Sequence, residues 1–349
     1  MSPRAQNRLL NRLERAYGPA IRLAFERSVR DWRRQINVGD VTRMVSAGDL
    51  SGVMSAIGLS DAVYRDLEIE IARVFENAGR AFTSLFPKNV RGPDGLAVQF
   101  RFDMRHRMAE AFLRYEAAGL VTQMVADQRR SIQALLSEAL GSGDAPRTTA
   151  LRLVGTINRA TGVREGGIIG LSDPQSQYLR NARRYLETGD RAYFDLTLRD
   201  RRFDGTIRRA MDAGQSAPAA AREAALRQYS NRMLRQRGET ISATETLNAV
   251  RAGQHVSFVQ GAEQAGLSEN DVEREWDASA DSRTRHTHAA ADGQKVTGRD
   301  TTFVVGGYRM RYPGDGSMGA PAKETIRCRC IEIFRVDWIA NASSRALAA

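Results

Sequence analysis

Near Arg237 the hydrophobic spacing of this chain changes, and the change limits the folds open to it. Before that point apolar residues recur every three or four positions, as a helix buried along one face requires. Ile21, Phe25, Val29, Trp32 and Ile36 form one such stripe. Leu67, Ile71, Val74, Ala78, Phe82 and Leu85 form a second, with Ser60 as its predicted N-cap. Beyond Gly266 the pattern becomes short extended runs between turn residues: Glu273–Asp277, Phe303–Val305, Arg309–Tyr312 and Cys328–Phe334. The predicted fold class is a mainly α N-terminal region followed by a small α+β C-terminal module. Its predicted divisions are a helical domain over 1–140, a helical arginine-rich segment over 147–237, the α+β module over 238–336 and a tail over 337–349.

Within the helical part, Phe86 to Pro93 reads as a break. A further helix is expected through Met108, Phe112 and Tyr115 to Leu140, closed by the loop Gly141–Pro146. Leu151, Val154 and Ile157 predict a short helix ending near Gly162. Gly166-Gly167-Ile168-Ile169-Gly170 lacks the lysine and the strand–turn–helix setting of a phosphate loop, and reads as a turn. Ser172 with Gln175 three residues on is a capping box, opening a helix that carries Tyr178, Ala182, Tyr185 and Leu186. From Gly238, Ile241, Thr244, Leu247, Val250 and His255 suit one face of another helix.

Charge narrows the partners. Lysine and arginine number 52 against 41 acidic residues, a net +11 carried mainly by arginine. Such a chain suits polyanions or acidic protein surfaces, and the planar guanidinium serves phosphate and carboxylate alike. Arg201, Arg202, Arg208, Arg209, Arg235 and Arg237 are the candidate contacts to nucleic acid or a partner protein. The alternation Arg199–Asp204 equally suits an internal ion-pair lattice. No apolar run reaches membrane-spanning length, and the N-terminus has no apolar signal core. Synthesis and assembly in a bacterial cytoplasm are expected.

Both cysteines and two of the four histidines fall in the last quarter. Cys328 and Cys330, placed on a strand, project to one face and suit zinc with His288 or His286 and Asp292. Alternatively the two thiols are small core side chains. Apolar Ile326, Ile331 and Ile333 argue for burial and against an exposed Cys–His nucleophile, so no cofactor is expected unless it is zinc. The two histidines diverge on a helix, so only one of them is expected to face inward. Tyr312-Pro313-Gly314-Asp315-Gly316 predicts a type II turn, and Trp276 a core anchor.

These elements occur in an order that resembles the phage Mu F-like, or head-morphogenesis, family of minor head proteins. The resemblance rests on Glu239-Thr240-Ile241, Thr244-Glu245-Thr246, Trp276, Asp281, Arg283-Thr284-Arg285, His288 with Asp292-Gly293, Phe303, Tyr312–Asp315 and Glu324–Cys330. It covers roughly 237–334. It implies a minor capsid protein of a tailed phage, in the head interior or at the portal vertex, acting in assembly and in genome packaging or ejection. The implied partners are portal protein, major capsid or scaffolding protein, and double-stranded DNA bound without sequence preference. Some relatives carry a toxin or nuclease domain after the module. Here only a short tail follows Phe334, so a non-enzymatic role is expected; the alternative is a metal-dependent hydrolase or nuclease using His288 and Asp292 with cysteine-bound zinc.

Overall fold

A computed structural model describes residues 2–92, 94–336 and 338. Pro93 of the predicted break and, apart from Trp338, the predicted tail 337–349 lie outside the described residues. The protein is mainly helical, with small antiparallel sheets towards the C-terminus. Two compact units are assembled from interleaved stretches: Met1–Arg22, Leu67–Leu120 and Thr240–Ala349 in one, Leu23–Asp66 and Val121–Glu239 in the other. The helices Pro3–Gln35 and Ala219–Gln264 each contribute residues to both.

Local chemistry explains most of the helices. The stripe Ile21, Phe25, Val29, Trp32 and Ile36 is buried, as are Leu67, Ile71, Val74, Ala78 and Phe82 on Arg65–Thr83. Ser60 caps only a short 3-10 turn, Asp61–Tyr64, and makes no side-chain capping bond. The Ser172 capping box forms with both of its bonds. Between the helices Arg107–Ala111 and Ala118–Ser142 the chain widens into a π-helix, Phe112–Ala117, on which Tyr115 is 66% exposed. The helix Pro146–Val154 stops at Gly155, short of Ile157. Ile157 instead sits exposed in a two-residue strand paired with Arg164–Glu165. Gly166, Gly167 and Gly170 all have positive φ, so the glycine run is a turn, as its composition requires.

The helix expected to begin near Gly238 is instead continuous with the arginine-rich one, running unbroken from Ala219 to Gln264. Every residue from Thr246 to Ala262 is buried. Gly253 permits a close approach of backbones, since a Cβ there would lie 2.7 Å from the carbonyl oxygen of Phe75. Burial all round forces the polar residues of this stretch to find partners. Gln254 donates to the backbone of Glu332, Gln260 exchanges bonds with the backbone of Asp103, and His255 Nδ1 lies 3.1 Å from Glu332 Oε2.

The module's three-stranded antiparallel sheet places Val272–Asp277 between Lys295–Thr297 and Ile331–Val336. Phe303–Val305 and Tyr308–Met310 form a separate hairpin. Val272, Arg274 and Trp276 alternate inward, so a charged residue occupies a core position. Arg274 satisfies itself there by binding Glu332 at 2.7 Å, the carbonyls of Gly298 and Arg311 at 2.8 Å each, and that of Thr301. Pro313 and Gly314 form the predicted type II turn, with Gly314 at φ +93° and the Asp315 N–H donating to the Tyr312 carbonyl at 3.1 Å.

Candidate metal centre and basic surface

The two cysteines do not lie on a strand. They flank Arg329 in an irregular segment between the short helix Ala322–Thr325 and the strand that begins at Ile331. What converges them is an alternation of outward arginines and inward thiols. Arg327, at φ +52°, turns out and bonds Thr240 and Thr244, while Arg329 pairs with Asp281. Arg285 reaches the carbonyl of Ile326 from the facing loop. Cys328 and Cys330, each 2% exposed, point the other way. Contrary to expectation, Ile326 is 40% exposed and does not help to bury them; Ile331 and Ile333 are buried.

His288 meets the thiols from the four-residue helix His286–Ala289, on which His286 points to solvent. Its Nδ1 is 3.3 Å from Cys330 Sγ and 3.6 Å from Cys328 Sγ, and all three donor atoms lie within 4.8 Å of one another. On the far side of the ring, Nε2 lies 3.1 Å from Glu324 Oε2, which also accepts the Thr287 hydroxyl. Trp276, fully buried, sets its ring edge-on to His288 at 5.6 Å. Asp292 is not part of this group. It is exposed, and its Oδ1 accepts the backbone N–H of Ala278 at 2.8 Å, fixing the turn after Trp276.

Electrostatics set the two thiols apart. The Cys330 hydrogen bond pulls Cys328 well below the usual thiol range against the cost of burial, with Arg251 and His288 adding to the pull. Cys330 is pushed up by Cys328 and by burial, and the backbone of Ser279 bonds it. Arg251 is 1% exposed, and its Nε and Nη2 have no hydrogen-bond partner among the described residues. Nothing in its sequence setting distinguished it from a solvent-facing helical arginine.

Two carboxylates for which the sequence signalled no chemistry are also displaced in pKa. Glu116, on the π-helix, is pushed up to about 7 by burial and then by Asp315, and Asn248 donates to its Oε2 at 3.4 Å. Glu245 is pushed up to about 8 by burial and by Glu116.

The candidate contact arginines divide. Arg201, Arg202, Arg208, Arg209 and Arg235 are exposed. Arg202 pairs with Asp200, and Arg208 stacks over Phe194 at 4.5 Å. Arg237 turns inward to donate to the Gly170 carbonyl at 2.8 Å and to lie over Phe25, and burial lowers its pKa. Within 199–204, Arg199 bonds Asp204, and Asp200 takes both Arg202 and Arg232, so the internal lattice forms.

Residues 202–333 match the model of the family described as Phage Mu protein F like protein. This stretch of the chain resembles that family, and it contains every residue of the His–Cys–Cys cluster. The family points to phage head morphogenesis, with capsid-related partners and a place in the virion. An NAD(+)–arginine ADP-ribosyltransferase of Enterococcus faecalis (strain ATCC 700802 / V583) is 34% identical over 86 residues, which are 25% of this chain. The chain spans 17% of that protein's length. No solved structure matches the chain. Among the described residues, no helix is long and apolar enough to cross a membrane.

Proposed function

We propose that this chain is a structural, non-catalytic minor head protein of a tailed bacteriophage. It associates with portal, inner capsid or scaffolding protein and meets packaged double-stranded DNA through arginine side chains. The observation that carries the proposal is the family match over residues 202–333. The solvent-facing arginines Arg201, Arg208, Arg209 and Arg235 support sequence-independent phosphate contact. A non-catalytic role is favoured by the burial of His288, Cys328 and Cys330, which keeps a bulky substrate from them, and by the separate engagement of Asp292. The activity named for the enterococcal protein stays with that protein.

Mass spectrometry of mature particles and of unexpanded heads is the direct test. Peptides of this chain are expected in at least one of the two; absence from both would overturn the assignment. Incubation of the purified protein with DNA and RNA in the presence of divalent metals tests the non-catalytic part. The nucleic acids should remain intact, and cleavage abolished by His288→Ala would replace this reading with that of a nuclease.

A further inference from the structure

The His288–Cys328–Cys330 cluster has the dimensions of a metal site. Tetrahedral zinc bound at about 2.3 Å to sulfur and about 2.0 Å to nitrogen places neighbouring N and S donors about 3.6 Å apart. His288 Nδ1 lies 3.6 Å and 3.3 Å from the two sulfurs, facing both. A lone N–H···S bond would need only one of them.

The other ring nitrogen supplies an independent argument. Glu324, 4% exposed, receives Nε2 at 3.1 Å. With the Nε2 proton directed to that carboxylate, the neutral ring presents its Nδ1 lone pair to the sulfurs, as a metal ligand must. A carboxylate behind a ligating histidine is the usual arrangement for holding ring orientation and tautomer. The thiols are free, and the Asp281–Arg329 and Arg285–Ile326 clamps hold their loop without help from any disulfide.

We infer that His288 Nδ1, Cys328 Sγ and Cys330 Sγ ligate a zinc ion, with Glu324 as the residue that positions the histidine. The chemistry favours zinc because two thiolates and an imidazole form a soft, borderline donor set, unlike the oxygen donors that magnesium and calcium prefer. Three protein donors leave the fourth corner of the tetrahedron to a small ligand such as water.

The test uses the full-length protein, purified without chelator. One equivalent of zinc per chain is expected by elemental analysis. Replacement by cobalt(II) should give a thiolate-to-cobalt charge-transfer band together with the visible bands of tetrahedral cobalt. Glu324→Gln should keep the cobalt band, because the ligands are unchanged, while weakening zinc roughly 10–100-fold in competition with a chromophoric chelator. His286→Ala should change none of these. Wild-type protein that is folded, lacks stoichiometric zinc and gives no thiolate–cobalt band would overturn the inference. Glu324→Gln with undiminished zinc affinity would overturn the positioning role alone. The outcome does not depend on whether the chain is found in phage particles, so this inference and the head-protein reading fail separately.

Discussion

Arg274 and Arg202 both lie in charged runs, Glu273–Asp277 and Arg199–Asp204, yet the chain uses them in opposite ways. Arg274 is fully buried, and its guanidinium ties Glu332 to three backbone carbonyls from two different loops. Arg202, 75% exposed, rests on Asp200 and leaves most of its surface to solvent. In the C-terminal module positive charge is structural, closing a small core that apolar side chains alone do not fill. In 199–237 the arginines divide: Arg201, Arg202, Arg208, Arg209 and Arg235 face solvent, while Arg199 and Arg237 turn inward. An arginine in the sequence therefore carries no fixed meaning; what its guanidinium reaches decides its role.

The contrast is open to direct attack. Arg274→Ala strands Glu332 in the core and should cost about 3–5 kcal/mol, visible as loss of cooperative unfolding in denaturant titrations. A stability change too small to measure would erase the distinction between the two regions. A smaller effect is expected from the paired carboxylates. The folded-state pKa of Glu116 lies near 7, above its ordinary 4.5, so the folded protein holds a proton that the unfolded chain has released. Stability contributed on this account is full below the ordinary value and falls as pH rises through 7. Glu116→Gln should flatten that decline and gain about 2 kcal/mol at pH 8 while changing little at pH 5. A variant with the wild-type pH profile would assign the decline to other groups.

Ser172→Ala removes the capping box of the helix Asp173–Thr188 and should cost about 1 kcal/mol, read from the urea midpoint. The smallest effect on stability belongs to the exposed arginines. Arg201→Ala or Arg235→Ala should leave the melting temperature unchanged, yet lower the salt dependence of duplex DNA binding by about one unit of log–log slope each. Arg237→Ala should do the reverse, destabilising the protein while leaving the slope alone. If all three behave alike, the division between structural and peripheral charge fails inside this stretch.

The sequence revealed the class of fold and the outline of the module, because stripes at 3.6 spacing and turn residues are local signals. Trp276 and the type II turn at Pro313-Gly314 followed from that local reasoning, whereas the choice of His288 over His286 came with the family resemblance, from its distance to Asp292-Gly293. The unbroken helix Ala219–Gln264 was hidden for a physical reason. Its Thr246–Ala262 portion is buried all round, so it has no apolar stripe, and Asn248, Arg251, Gln254 and Gln260 look like a wet face when read along the chain. The same blindness concealed Arg251 beside the thiols. Cys328 and Cys330 converge as the sequence suggested, but through an αL turn at Arg327 and its threonine anchors rather than through strand geometry. Asp292 was drawn into the candidate set by nearness in sequence, whereas Glu324 reaches the histidine through long-range folding.

One contact gives the protein a clock. The Gln6 side-chain amide pairs with both backbone groups of Phe334, donating at 3.0 Å and accepting at 3.1 Å, as a neighbouring strand would. Gln6 is thus bonded to a strand that lies 328 residues further along the chain. At a synthesis rate of roughly 5–20 residues per second, Gln6 waits on the order of tens of seconds for this partner. The unit formed by Leu23–Asp66 and Val121–Glu239 has all its residues earlier. A chain cut short before Phe334 would carry the other unit incomplete.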